Sequence, residues 1–280
     1  MTSRICIFLF LACSAHAQSL LPEAPVSSSL ANSVIALSYP TPFALNPSQS
    51  RADSAHSLHA ALAYSPFIDG LKDANQGAVE ATYYSQLMRS SFTFGATNLS
   101  YGDIYSDLSL YLGIAKTFKL ANNREASAGI RLRYESLATT PNYPTQHFLF
   151  ADVGFTLDLT QECSLGAAGL NLLGESYQIT DGETEKLDRR FLIGIDYHPH
   201  VVPLKLLTSL EENPGQTLAI QFGAEYDPVS FLALRIGTST DTGNITAGIG
   251  ISYGDISFDA GSRFDKALGS IFSFGASGAW

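Results

Sequence analysis

The sequence has few cysteines, few charged residues and no long apolar run beyond its first residues. Of three cysteines among 280 residues, Cys6 and Cys13 lie at the start, and only Cys163 lies further along the chain. If the first residues are removed on export, no internal disulfide can form. No later stretch approaches the roughly 20 apolar residues of a transmembrane helix. Any membrane contact would therefore be made by strands.

Charged residues are also scarce, at 15% of the chain against about 25% in a typical soluble domain. The net charge of −10 argues against nucleic acid as a partner. The 23 glycines and 11% aromatic residues are typical of β-rich proteins with many turns. This composition permits either a soluble β protein or an outer-membrane barrel.

Motifs of common catalytic sites are absent as well. The chain contains no Gly-x-Ser-x-Gly, no phosphate loop and no Cys-x-x-Cys. His198 and His200 have a spacing that a metal could use on a strand. Pro199 between them favours a polar turn, and no third ligand is evident. We therefore expect no enzyme activity, no metal site and no cofactor.

The first 17 residues have the pattern of a signal peptide. Arg4 precedes an apolar run at 5–12, and residues 15–17, Ala-His-Ala, fit a signal-peptidase site. We expect cleavage after this site, and hence export. Lipidation at Cys13 is the alternative interpretation.

After the signal peptide the chain has two parts. Residues 18–52 are rich in Ser, Ala and Pro without a sustained period, and we expect an irregular or lumen-associated segment. Residues 53–280 are expected to form one domain, in which apolar and polar residues alternate with a period of 2. About fourteen strands are predicted, near 54–64, 76–87, 90–100, 105–118, 124–137, 146–159, 162–172, 189–198, 201–211, 216–227, 229–239, 244–253, 254–264 and 268–280.

The clearest alternation is at 126–135, ASAGIRLRYE, where Ile130 and Leu132 share one face and Arg131 and Arg133 the other. Most predicted strands have the 9–11 residues that a tilted strand needs to cross a bilayer. The connections alternate between long and short, which is typical of outer-membrane barrels. An even strand count would leave both termini in the periplasm.

These patterns predict an all-β fold, a closed antiparallel transmembrane β-barrel with an up-and-down meander. The alternative is a secreted soluble β-sandwich with a binding or structural role, since a sandwich also alternates. Mixed charges on the polar face favour the barrel, where they would line a wet lumen. These charges are Arg131, Arg133, Asp152, Asp158, Glu225, Arg235, Asp255, Asp259 and Arg263.

Four of these charges lie on adjacent predicted strands. Arg131 and Arg133 would meet Asp152 and Asp158 inside the lumen. They would either filter solutes by charge or brace the wall as cross-strand pairs, and we favour bracing.

The last strand ends in the chain's only tryptophan. Phe272, Phe274 and Trp280 share the parity that faces lipid. A terminal aromatic on the closing strand resembles the signal that the barrel assembly machinery recognises. We therefore expect this machinery and outer-membrane lipid as partners.

Several segments resemble the PorV/PorQ-type family of the FadL-like outer-membrane barrels. Residues 222–238, FGAEYDPVSFLALRIGT, resemble a hairpin with a Gly-x-Glu-Tyr strand followed by Arg-x-Gly. Residues 167–174 and 245–277 are similar to later strands of that family, and ALNPSQ at 44–49 resembles its Asn-Pro-Ala motif. The resemblance implies a 14-stranded barrel in the cell outer membrane with its N-terminal segment near the lumen.

The same resemblance implies one of two roles. One is a transport conduit for small or hydrophobic molecules. The other is an accessory of type IX-like protein secretion and surface attachment, with secretion-system or surface proteins as partners.

Overall fold

The computed structural model describes residues 24–37, 41–50, 58–65, 74–102, 105–139, 144–173, 176–180, 183–186, 189–212, 218–241, 243–265 and 269–280. The predicted signal peptide, with its two cysteines, lies outside these residues.

Fourteen strands of the described chain form the wall of a barrel. They are β1 (Leu58–Ser65), β2 (Ala74–Ser85), β3 (Ser90–Tyr101), β4 (Tyr105–Lys119), β5 (Glu125–Thr139), β6 (Gln146–Asp158), β7 (Cys163–Leu170), β10 (Arg190–Tyr197), β11 (Leu204–Glu212), β12 (Ala219–Val229), β13 (Leu232–Ser239), β14 (Ile245–Tyr253), β15 (Ile256–Asp265) and β16 (Gly269–Ala279). β8 (Ser176–Thr180) and β9 (Glu183–Lys186) form a separate two-stranded sheet.

The wall is closed by pairing between its first and last strands. Each wall strand pairs antiparallel with its neighbour along the chain, and β7 pairs with β10. β1 pairs with β16 from His59 opposite Ala279 to Tyr64 opposite Phe274. This ring has no free sheet edge. It confirms the predicted closed, 14-stranded antiparallel barrel and does not favour the two-sheet sandwich.

Alternation along each strand separates an apolar outer face from a mostly polar inner face. On β5, Ile130 and Leu132 are 53% and 51% exposed, whereas Arg131 and Arg133 are 4% exposed. A soluble monomer rarely exposes an apolar patch larger than a few hundred Å². An apolar outer face over a polar interior is instead the pattern of a barrel that spans a membrane.

The connections divide the barrel into two ends. The turn end carries Leu58, Trp280 and the connections 86–89, 120–124, 159–162, 198–203, 230–231 and 254–255. The loop end is the opposite end, where β1 ends and β2 begins.

Two details at the loop end differ from the predicted pattern. The connection at 102–104 is short, although a long one was expected there. The hairpin of β8 and β9 was not predicted, because its runs, SYQIT and ETEK, are short and mostly polar. Such runs give little signal of apolar alternation.

Residues 24–37 and 41–50 lie inside the barrel, and we call them the plug. They contain the helix α1 (Pro25–Ser29) and a 3₁₀ turn (Pro47–Ser50), and nearly all of them are buried. The largest buried apolar cluster of the described residues joins the plug to the inner wall. No helix in the described ranges is both long and apolar enough to cross a membrane.

Candidate functional site

The plug follows the inside of the wall from β16 round to β5, and glycines line its path. A Cβ added at Gly166 would lie 2.1 Å from the carbonyl oxygen of Ile35, and one at Gly154 would lie 1.9 Å from Asn46 Oδ1. Nine inner-face glycines of this kind form what we call the glycine track. They are Gly275, Gly261, Gly248, Gly237, Gly223, Gly194, Gly166, Gly154 and Gly129. Any larger residue on the track would push the plug away from the wall.

The plug itself carries no charge. Residues 24–50 contain no Asp, Glu, Lys, Arg or His. Neutral hydrogen bonds join the plug to the wall. Asn46 Nδ2 donates to the carbonyl oxygen of Phe155 at 3.1 Å, and Thr246 Oγ1 donates to that of Ser29 at 2.8 Å.

Two hydroxyl pairs join the plug to well-separated sectors of the wall. Ser28 Oγ lies 2.9 Å from Ser273 Oγ on β16, and Ser48 Oγ lies 3.2 Å from Thr156 Oγ1 on β6. Because β16 and β6 are six strands apart by the shorter way around the 14-stranded ring, these contacts fix the plug from nearly opposite sides.

One sector of the wall holds the plug by apolar packing. Leu170, Leu192 and Leu207 project from β7, β10 and β11 into the lumen and are 2–3% exposed. The plug side chains that pack with them are Val26, Leu30, Val34, Ile35, Leu37 and Leu45. This sector is the largest apolar part of the described inner face.

A second sector is built around Arg131 on β5. Its Nε donates to Asp152 Oδ2 on β6 at 2.9 Å. Its Nη1 and Nη2 donate to the plug carbonyl oxygens of Ala44, at 2.8 Å, and Leu45, at 3.3 Å. The guanidinium group therefore braces the wall and also holds the plug. Because Nε, Nη1 and Nη2 all donate hydrogen bonds within the protein, few donors remain to filter solutes.

Arg133 continues this network toward the loop end. It donates to Asn171 Oδ1, and its Nε lies 3.1 Å from Glu135 Oε1. The backbone N–H of Asn171 donates to Asp152 Oδ1 at 2.9 Å. The guanidinium group also lies over the Phe150 ring, 4.9 Å from its centroid. Buried charges held in this way rigidify the inner wall.

Glu80 on β2 closes the other side of the same sector. Tyr111 Oη donates to Glu80 Oε2 at 2.8 Å, and the plug N–H of Phe43 donates to Glu80 Oε1 at 3.1 Å. Arg131 lies over the Tyr111 ring, 5.6 Å from its centroid. The predicted charge list omitted Glu80, although its parity on β2 would have placed it inside.

A third polar cluster lies near the turn end. Glu225 on β12 accepts hydrogen bonds from Lys205 on β11 and from Arg235 Nε, the latter at 2.6 Å. Arg235 Nη1 donates to Asp259 Oδ1 on β15 at 2.6 Å. The two ion pairs of Glu225 join neighbouring strands, and the pair of Arg235 with Asp259 reaches across β14.

A fourth cluster lies near the loop end. Arg190 on β10 donates through Nε to Glu211 Oε1 on β11 at 2.7 Å. Gln221 Nε2 donates to Glu211 Oε2 at 2.9 Å, and Ser209 Oγ donates to Gln221 Oε1 at 2.6 Å. The predicted list also omitted Arg190, Glu211 and Lys205.

The remaining predicted charges lie apart from the Arg131 network. Asp158, at the end of β6, accepts hydrogen bonds from the N–H of Glu125, at 3.0 Å, and from Ser164 Oγ, at 2.9 Å. Asp158 is therefore not brought to Arg131 or Arg133 by a described contact.

Arg263 lies half-buried on the inner face of β15. Asp255 was expected on a strand, but it lies exposed in the turn at 254–255.

The three C-terminal aromatic residues lie on the outer parity of β16. Phe274 and Trp280 are 50% and 57% exposed, and Phe272 is half-buried. Trp280 follows the last residue of β16 and still pairs through its backbone with Leu58.

The paired histidines lie in the turn-end connection at 198–203. Their ring centroids are 6.4 Å apart, and His198 Nδ1 lies 3.9 Å from Asp196 Oδ2. Within the described residues, no group of three or more His, Cys, Asp or Glu side chains is placed to hold a metal ion. The two histidines thus lie in a connection and not on a strand, as the turn interpretation expected.

A cavity of about 200 Å³ opens at the turn end, between the plug and the seam where β1 meets β16. Its roof is formed by plug residues that include Thr41 and Gln49. Its floor is formed by β1, β2, β15, β16 and the turn at 254–255.

The fold is similar to those of solved FadL-like outer-membrane barrels. A FadL homologue from Pseudomonas aeruginosa has a TM-score of 0.64 at 11% identity, over 91% of this chain and 98% of that chain. CymD, a monoaromatic hydrocarbon channel, has a TM-score of 0.64 at 10% identity, over 93% and 98%. The Pseudomonas putida toluene transporter TodX has a TM-score of 0.59 at 13% identity, over 91% and 96%.

Identities this low establish the fold alone. The shared fold is the one expected from the resemblance, and it does not distinguish the PorV/PorQ-type family from other barrels of this fold. No protein-family model matches the chain, and no curated protein matches it.

Proposed function

We propose that this chain is a non-enzymatic outer-membrane barrel that conducts small molecules, with the plug acting as its gate. The observation that carries the proposal is the distribution of charge inside the lumen. The described inner-wall ion pairs join wall residues to one another, while residues 24–50 carry no charged side chain. Displacing the plug would therefore leave those ion pairs intact.

The outer membrane is the location that suits the surface of the barrel. Large apolar side chains are exposed around the wall, for example Leu112, Ile245 and Phe258, at 63%, 58% and 58%. A closed barrel satisfies every ladder hydrogen bond without an edge, as a protein in lipid must. The short connections at the turn end would face the periplasm and the longer ones the exterior.

Conduction would require the plug to shift, because its described residues are packed against the inner wall on several sides. Leu30, Ile35 and Asn46 are all 0% exposed, so no water-filled path runs beside them. The described plug residues are held mainly by neutral hydrogen bonds and apolar packing, and they also contact the charged groups of Arg131 and Glu80. Neutral hydrogen bonds contribute only about 0.5–1.5 kcal/mol each, which suits a gate more than a permanent seal.

The solved channels of similar fold support the same role. CymD is a channel for monoaromatic hydrocarbons, and TodX is a toluene transporter. We propose small molecules as the cargo of this chain, without extending those compounds to it.

A second candidate function is supported by the sealed lumen itself. A barrel whose interior stays closed would suit an accessory of type IX-like secretion and surface attachment. In that case the barrel would act through contacts that its wall and connections make with other proteins, and not by passage through its lumen.

Solute passage into liposomes separates the two candidates. The chain without its predicted signal peptide is refolded into liposomes, and swelling is measured with uncharged solutes of graded size. We expect passage of the smallest solutes above the rate of protein-free liposomes. A barrel that shows a heat-dependent gel shift, and is thus folded, but passes no solute would contradict the conduit and favour the accessory role.

A further inference from the structure

We propose that the cavity at the turn end is a binding site for a small organic ammonium ion. The site shares Glu80 with the plug–wall contacts described above, and it does not depend on whether the barrel conducts solutes.

The floor of this cavity consists of two rows of residues that cross the seam. In the deeper row, Glu80 lies opposite Ala61, which lies opposite Ser277. In the outer row, Thr82 lies opposite His59, which lies opposite Ala279. The N–H of Ala279 donates to the carbonyl oxygen of Asp255. The two rows therefore place one carboxylate deep in the cavity and another at its mouth.

Gln49, in the roof of the cavity, has a side-chain oxygen that accepts no hydrogen bond. Gln49 is 1% exposed, and its Nε2 donates to the plug carbonyl oxygens of Val34 and Leu37. These two bonds fix the orientation of the amide, because a flipped amide would set oxygen against oxygen. Its Oε1 is left buried without a hydrogen bond. A buried acceptor in this state costs about 1–3 kcal/mol, so a donor brought by a ligand is favoured.

The charge of the cavity is negative. Of its lining residues, Glu80 and Asp255 are acidic, His59 is the single base, and the others are uncharged. Each carboxylate oxygen of Glu80 already accepts one hydrogen bond and retains a further lone pair for an N–H donor. A ligand that carries positive charge and several donors matches this lining.

Size and ligand geometry favour an organic ammonium over a bare metal ion. A volume of about 200 Å³ holds roughly six or seven waters at about 30 Å³ each, far more than one ion occupies. No metal-binding group of three or more acidic, His or Cys side chains occurs among the described residues. An aliphatic diamine is therefore the probe of choice.

Calorimetric titration of the purified, detergent-solubilised barrel with 1,4-diaminobutane tests the site. 1,4-Butanediol serves as the neutral probe of the same chain length, and succinate as the anionic one. We expect saturable binding of the diamine, and binding at least about tenfold weaker for either of the other probes, which is about 1.4 kcal/mol. Equal binding of diamine and diol would overturn the proposal, since it would reveal a site for water-like hydroxyl donors only.

Substitutions in the lining test whether the diamine binds in this cavity. Glu80→Gln and Asp255→Asn each remove one charge and are expected to weaken diamine binding by about tenfold and about threefold, in line with burial of the first and exposure of the second. Glu212→Gln, an exposed carboxylate at the loop end, is the matched control and should bind as the parent does. If Glu80→Gln fails to fold, the affinity of Asp255→Asn for the diamine decides whether the proposal holds. Unchanged affinity in every folded variant would place the diamine elsewhere and overturn the proposal.

Discussion

The backbone of Trp280 pairs with that of Leu58 in both directions. The N–H of Leu58 donates to the carbonyl oxygen of Trp280 at 2.9 Å, and the N–H of Trp280 donates to that of Leu58 at 2.8 Å. The last residue thus makes the outermost pair of the seam that closes the barrel. Its indole ring lies over Gly278, where an added Cβ would come within 2.6 Å of the ring.

Removing Trp280 should impair closure of the barrel. Deletion loses two backbone hydrogen bonds, worth about 0.5–1.5 kcal/mol each, together with the terminal aromatic ring. We expect less folded barrel in outer-membrane fractions and undiminished export into the periplasm. Quantitative blotting of unboiled fractions measures both.

Two substitutions separate the ring from the backbone. Trp280→Ala keeps the backbone pair and loses the ring, whereas Trp280→Phe keeps an aromatic residue. We expect Trp280→Phe to insert nearly as the parent does and Trp280→Ala to insert poorly. Equal insertion of all variants, the deletion included, would show that neither the pair nor the ring matters.

The wall of the barrel could be predicted from sequence because a strand's period of 2 is a local property. Ile130 and Arg131 differ in parity, and this difference alone placed them on opposite faces. The pairing of β1 with β16 followed from closure, since an unpaired first or last strand would leave a sheet edge.

The plug could not be predicted in the same way. Its segment has no period, and each of its contacts joins residues far apart along the chain. The carbonyl oxygen of Ala44 lies 87 positions from Arg131, and Ser28 lies 245 positions from Ser273. Glycines on the inner parity were visible in the sequence, but only the path of the plug explains their places.

Arg131 is expected to be essential for stability, and not merely for selectivity. Arg131→Met leaves Asp152 buried without its partner and frees two plug carbonyl oxygens. Breaking a buried pair from one side costs about 3–5 kcal/mol. Urea unfolding in detergent, followed on semi-native gels, should show this loss.

Arg124→Met is the matched control for that substitution. Arg124 lies at the turn end, and its hydrogen bonds to backbone carbonyl oxygens are exposed. We expect a loss below about 1 kcal/mol, as for other exposed charged groups. If Arg131→Met folds normally but alters solute uptake, then Arg131 filters solutes and the bracing account is wrong.

Gly166→Ala should loosen the plug. The added Cβ would overlap the carbonyl oxygen of Ile35, and overpacking of this kind costs about 1–3 kcal/mol. We expect faster protease cleavage within residues 24–50 of the refolded barrel. Gly113→Ala, whose added Cβ would meet neighbours only at 3.6 Å or more, should behave as the parent does. Equal cleavage of both variants would contradict the claim that the plug packs against the glycine track.

The outer face of the wall should tolerate no charge at mid-height. Leu112 lies on β4 opposite Leu132 and is 63% exposed. Leu112→Arg should destabilise the barrel in lipid by about 2–4 kcal/mol, the cost of arginine near the bilayer midplane. Leu87→Arg, at the turn end where Leu87 is 95% exposed, should cost less than about 1 kcal/mol. Refolding into vesicles at graded urea concentrations measures both, and equal costs would place the wall outside lipid.

Locking the plug to the wall tests the central claim most directly. The lock is Ser28→Cys with Ser273→Cys, in a Cys163→Ser background that removes the described free thiol. Their hydroxyl oxygens are 2.9 Å apart, so the two side chains already point at each other. Ser48→Cys with Thr156→Cys provides a second lock on the far side of the barrel.

Liposome swelling with the smallest conducted solute is measured for each locked barrel, oxidised and then reduced. A plug that gates the lumen predicts no passage when oxidised and passage at the rate of the Cys163→Ser parent when reduced. Equal passage in both states, with the disulfide verified on non-reducing gels, would contradict the plug as the gate.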